Sequence, residues 1–112
     1  MIKSFGFAVS GLRYAFKTQP NFKFHCFATV LVAVAGFYLQ LDRADWLWLL
    51  AAVALVMISE LLNTAIEVLV DHVSPKYHIQ AGIVKDTAAA AVLVSAVAAA
   101  AIGLLIFVPK II

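Results

Sequence analysis

The sequence predicts an all-α membrane protein: an amino-terminal amphipathic helix in the membrane interface, then three transmembrane helices. Three observations carry this. Of 112 residues, 65% are hydrophobic and 12% charged, against roughly 45–50% and about 25% in soluble domains. Three long apolar stretches divide most of the chain, and a helical period marks the residues ahead of them. The length suits one domain, 1–112. Cys26 is the sole cysteine, which excludes an intramolecular disulfide and a cysteine-based zinc site. A formal net charge of +2, scattered along the chain, does not suggest nucleic acid as a partner.

In residues 1–19, Ile2, Phe5, Val9, Leu12 and Phe16 recur at spacings of three and four, with Lys3, Ser10, Arg13 and Lys17 on a neighbouring face. This is the pattern of a helix lying in the interface with its cations towards headgroups. A cleavable signal is not expected, because Arg13 precedes any uninterrupted apolar core and no small-residue cleavage site follows. Gln19-Pro20-Asn21 reads as a turn or helix start. The predicted spans are 24–41, 46–70 and 87–108, where a bilayer core asks for about 20 apolar residues. None has the alternation of a membrane barrel strand. Along the third, Ala91, Ser95, Ala99 and Gly103 form a stripe of small residues that predicts close helix packing.

Lys3, Arg13, Lys17, Lys23, Lys76 and Lys85 lie on one side of this topology, and Arg43 and Lys110 on the other. The positive-inside rule then puts the amino terminus and the 71–86 loop in the cytoplasm. The Asp42–Asp45 turn faces outwards, with Trp46 and Trp48 as its aromatic belt.

Ionisable groups inside a span are expensive and usually face a bundle interior or a water-filled site. Glu60, Asn63, Glu67 and Asp71 fall on one face of the second span, within an arc of roughly 40–80° at about 100° per residue, and Thr64 joins them. The bland alternative is a polar seam between helices. Across the loop stand His78 and the pair Lys85-Asp86, where Asp86 reads as a cap for the third helix. His72 and His78 read as ordinary loop residues. Carboxylate oxygens suit magnesium, and lysine suits phosphate as a point charge. Two such clusters flanking one short loop suit magnesium-dependent phosphoryl transfer at the membrane surface.

The run Glu60-Leu61-Leu62-Asn63-Thr64-Ala65-Ile66-Glu67, then Asp71, Tyr77-His78 and Lys85-Asp86-Thr87-Ala88-Ala89-Ala90-Ala91-Val92 resembles the signature of the small prokaryotic diacylglycerol kinase family, which includes the undecaprenol kinases. Gly11-Leu12-Arg13 and Asn21-Phe22-Lys23-Phe24-His25 extend the resemblance over nearly the whole chain. There is no G-x-x-x-x-G-K-[ST] phosphate loop, and the resemblance explains its absence. It implies a homotrimeric lipid kinase of the bacterial inner membrane, with sites shared between subunits, using ATP as co-substrate and magnesium as cofactor. It implies Glu60 as the general base on the lipid hydroxyl, Glu67 as a magnesium ligand, and Lys85 and Asp86 at the nucleotide phosphates. Lys76, Tyr77 and His78 match the loop around the nucleotide, and Asn63 and Asp71 further polar positions of the site. Physically, an apolar setting makes a carboxylate a stronger proton acceptor, which suits Glu60.

One position departs from the family pattern. Gln19 stands where most members carry a second metal-binding glutamate, and one neutral oxygen would hold a second magnesium more weakly or through water. The acceptor implied is a membrane lipid alcohol, undecaprenol or diacylglycerol. The Asn21–His25 phrase and Ile106-Phe107-Val108-Pro109-Lys110 look more like the undecaprenol branch. A small proton-coupled transporter using Glu60 or Glu67 is the alternative, opposed by the apolar run from Trp46 to Ile58. A structural subunit would leave the carboxylates unexplained.

Overall fold

Pro20 has no amide hydrogen to give to a preceding turn, so it opens a helix and cannot continue one. Accordingly α1 (Ile2–Thr18) ends before it and α2 (Pro20–Tyr38) starts on it, with Gln19 extended between them at φ −113° and ψ 104°. The computed structural model describes all 112 residues, and the rest of the chain is equally helical: α3 (Arg43–Val73) and α4 (Ile79–Ile111), with no strand. Asp42 starts α3, its Oδ1 accepting from the Asp45 amide at 2.9 Å. His78 starts α4, its Nδ1 accepting from the Gln80 amide at 3.1 Å. Both side chains satisfy amides that the first turn of a helix leaves free.

α2, α3 and α4 are each long and apolar enough to cross a membrane. α3 and α4 outrun their apolar stretches, since hydrogen bonding continues where hydropathy stops. α2 starts ahead of its stretch at Pro20 but stops at Tyr38, leaving residues 39–41 of the expected 24–41 span in the turn. α4 begins eight residues before Thr87, at Ile79. The expected 71–86 loop therefore shrinks to Ser74–His78. Asp86 sits inside α4 and caps nothing, His72 belongs to the last turn of α3, and His78 is the cap.

α3 and α4 form an antiparallel hairpin that makes most of the tertiary contact; α2 packs more lightly on α3, and α1 touches α2 and α3. The buried face of α3 is Leu49, Ala52, Val56, Glu60 and Thr64, and that of α4 is Ala88, Ser95 and Ile106. Ala99 and Gly103 are half-buried and Ala91 is exposed, so the small-residue stripe does not coincide with this face. A four-residue step advances about 400° and drifts off any straight seam. Only 12 of 112 residues are buried, so most apolar surface is left for lipid tails or other chains. The side-chain hydroxyls of Thr29, Ser59, Thr64 and Thr87 donate to carbonyls of their own helices and expose no unpaired donor to that surface.

The α2–α3 turn is tight. Gln40 takes a left-handed conformation at φ 56°. Gly36 is buried, and a Cβ there would lie 2.7 Å from Cη2 of Trp46 and 3.1 Å from Cδ1 of Leu41. The Trp46 ring is also held against Phe37, centroids 4.8 Å apart. Gly36→Ala should therefore destabilise the hairpin by about 1–3 kcal/mol, the usual cost of overpacking. Thermal unfolding in detergent reads this, with Gly103→Ala, which meets nothing within 4 Å, as the silent control.

Candidate functional site

The polar side chains of α3 begin with Glu60, whose residue is 3% exposed. Its nearest opposite partner is His25 on α2, with Nε2 3.3 Å from Oε1. The two are close but not aligned, and Glu60 Oε1 has no hydrogen bond. One turn on, Thr64 Oγ1 donates to the Glu60 carbonyl at 2.9 Å. Asn63 Nδ2 donates to Glu67 Oε1 at 3.4 Å, while Asn63 Oδ1 is buried without a partner. Two buried acceptor oxygens, Glu60 Oε1 and Asn63 Oδ1, thus lie unpaired about one turn apart. Native structures rarely leave such atoms unsatisfied unless a ligand, ion or water meets them.

Beyond Glu67 the stripe reaches the end of α3. There Asp71 Oδ1 accepts from Lys85 Nζ on α4, tying the two helices beside their loop. That hydrogen bond holds the Lys85 amine above the ordinary lysine value of 10.5; desolvation opposes it, and the charges of Asp71 and Glu67 add to it. Asp71, Lys76, Tyr77, His78, Lys85 and Asp86 line a cavity of about 290 Å³, polar where the rest of the surface is apolar. A second, larger cavity of about 880 Å³ opens between α1 and α3, walled by Leu12, Ala15, Leu61, Ala65 and Leu69, with Thr64 on the Glu60 side.

Of the residues singled out in the sequence, six therefore share the loop cavity. Asn63 and Glu67 form a pair on α3, and Glu60 stands apart in contact with α2. Gln19 caps α2 by backbone position. No three His, Cys, Asp or Glu side chains of the chain converge as a metal cluster. Sequence reasoning missed His25 as the neighbour of Glu60. The signal was available: it is the one ionisable nitrogen within an otherwise apolar span.

The sequence pattern of the family described as "Prokaryotic diacylglycerol kinase" matches residues 6–107. An undecaprenol kinase of Bacillus subtilis is 43% identical over 108 residues, covering 96% of this chain and 88% of that protein. A diacylglycerol kinase of Synechocystis is 44% identical over 110 residues, covering 97% of this chain and 63% of that protein. One from Escherichia coli is 37% identical over 99 residues, covering 88% and 81%.

Because the Lys85 amine titrates above its ordinary value, its pairing with Asp71 is complete below that ordinary value and is lost as pH rises through the elevated one. Asp71→Asn should lower the Lys85 midpoint. Side-chain NMR of labelled lysine across alkaline pH measures the shift, and an unmoved midpoint would detach Lys85 from Asp71.

Proposed function

The chain belongs to the prokaryotic diacylglycerol kinase family, and from that premise we propose that this lipid kinase transfers the γ-phosphoryl group of ATP to the hydroxyl of undecaprenol. The observation that carries the reading is the buried carboxylate of Glu60, close to His25 but not hydrogen-bonded to it, with an apolar cavity reached one turn on at Thr64. A general base needs a free acceptor within reach of the proton it removes. Glu60 takes the lipid hydroxyl proton; the hydroxyl oxygen bonds to the γ-phosphorus, and the bond from that phosphorus to the ADP oxygen breaks. The apolar cavity beside Thr64 receives the lipid's first hydrocarbon units. Undecaprenol is favoured over diacylglycerol by the Asn21–His25 and Ile106–Lys110 phrases.

Lys85 reaches from the loop cavity to the phosphates, exchanging Asp71 for them, and Lys76, Tyr77, His78 and Asp86 surround the nucleotide. Phosphoryl transfer asks mainly for positioning and charge stabilisation, which side chains on stiff helices can supply. The oxygens of Glu67 and Asn63 fit magnesium: both are hard donors, and Asn63 Oδ1 is buried and unpartnered. Bound there, magnesium would neutralise the charge gathering on the phosphate oxygens. Gln19 would offer a second magnesium one neutral oxygen in place of a carboxylate, holding it more weakly or through water; if its carbonyl already binds as well as a carboxylate would, Gln19→Glu leaves the magnesium curve unmoved.

The lysine-rich end faces the cytoplasm, and residues 1–19 form the interfacial helix, consistent with the exposed Ile2, Phe5, Val9, Leu12 and Phe16. The spans are 24–41, 46–70 and 87–108. The protein works as a homotrimer in the bacterial inner membrane. Its small buried core and the lack of a complete ligand cluster in one chain support an assembly in which neighbours complete each site.

The direct test is purified protein with labelled ATP and magnesium, undecaprenol and diacylglycerol compared side by side. Label in neither lipid overturns the reading. Glu60→Gln should lower turnover by about 10²–10⁴-fold, as for other general bases, with the KM for ATP little changed.

A magnesium titration separates the ligands. Glu67→Gln should nearly abolish activity at every magnesium level. Gln19→Glu should lower the magnesium needed for half-maximal rate, because a carboxylate replaces a neutral oxygen. A curve moved upward by Gln19→Glu would remove Gln19 from the metal shell.

A further inference from the structure

An ionised carboxylate in an apolar wall is costly unless something donates to it. Glu60, with its side chain 4% exposed, has one such group in reach, His25. No other side-chain nitrogen comes within ion-pair distance of its carboxylate. α4 carries no ionisable side chain between Asp86 and Lys110, and the next acid on α3 is Glu67, two turns away. On α2 the Lys23 ammonium lies 5.5 Å over the Phe16 ring. On α1 Arg13 and Lys17 are exposed. His25 alone links α2 to the buried carboxylate.

We infer that His25 is a positioning residue for Glu60: with hydrogen on Nε2 it donates to Oε1, fixing the carboxylate's orientation and turning its other oxygen towards the acceptor hydroxyl. The inference rests on the kinase reading above. The 3.3 Å separation and missing alignment suit a contact that tightens when substrate arrives, as catalytic hydrogen bonds commonly do. The His25 side chain is 22% exposed against 4% for Glu60, so the imidazole stands between an open margin and a closed carboxylate. Its edge-on contact with Phe24, centroids 5.6 Å apart, limits how the ring can turn. The proton removed from the lipid still ends on Glu60; His25 neither binds substrate nor takes part in bond breaking.

The test uses the full chain with undecaprenol, ATP and magnesium. His25→Phe fills the space without a donor, His25→Leu is a second donor-free replacement, and His25→Gln restores an N–H. The donor-free variants should lose about 10–100-fold in kcat, within the span of general-base effects, with the KM for ATP and for lipid near native. His25→Gln should recover most of that loss. In a Glu60→Gln background, His25→Phe should cost nothing more, because its target is gone. Equal loss in the glutamine and donor-free variants would make His25 a packing residue. A loss confined to KM, or a further loss in the double variant, would overturn the inference as well. A native chain that phosphorylates neither lipid sinks the kinase reading; an active native chain with unimpaired His25→Phe and His25→Leu sinks the role of His25 alone.

Discussion

The polar chemistry of this protein depends on one mismatch of length. α3 has 31 residues, so it is about 46 Å long, while a bilayer hydrocarbon core is about 30 Å thick. Something must protrude, and the ion pairs fix which end. Glu60 lies more than three turns before the end of α3, yet it meets His25 in only the second turn of α2. The carboxyl end of α3 therefore overhangs the start of α2 by about 12 Å. α4 rises with it, joined through Asp71 and Lys85, and at the opposite end Lys110 and Asp45 lie 3.9 Å apart. The overhang carries Glu67 and Asp71, while Asn63 and Glu60 lie below it, level with the first turns of α2. The polar stripe thus starts inside the helix at Glu60 and climbs on one rigid element to Asp71 at its end.

That arrangement also explains why so little of the chain is buried. A soluble protein of this length would have to hide its leucines and phenylalanines from water. Here lipid is as apolar as any core, and helices associate through close packing and a few polar contacts. The burial that does exist is concentrated along one seam of α3, where Leu49, Ala52 and Val56 lead up to Glu60 and Thr64. The apolar part of the seam holds α4 in register, and the same register delivers Lys85 to Asp71.

Hydropathy made the three long helices legible because nothing else requires runs of that length. It could not give their ends. Ile79–Asp86 mixes Gln80, Lys85 and Asp86 with Ile79, Ile83 and Val84, and that mixture reads as loop until the His78 cap and the continuous hydrogen bonding are seen. The carboxylate stripe was legible from spacing alone, since Glu60, Asn63, Glu67 and Asp71 share one helix. Contacts between helices were not. His25 and Glu60 are 35 positions apart in sequence, and only the stagger of α2 against α3 brings them together. The every-four stripe on α4 is only partly seated within one chain: Ser95 is buried, Ala99 and Gly103 are half-buried and Ala91 is exposed. The face buried against α3 steps by three as well as four.

The turn between α2 and α3 holds only Leu39–Asp42, with Gly36 closed under Trp46. The α2–α3 turn is thereby closed by packing, whereas the opposite end opens at the Ser74–His78 loop. On the proposed kinase reading, a lipid would reach Glu60 sideways within its own leaflet and leave by the same route carrying a phosphate. Such a reaction would be vectorially silent: it labels one leaflet and moves nothing to the other.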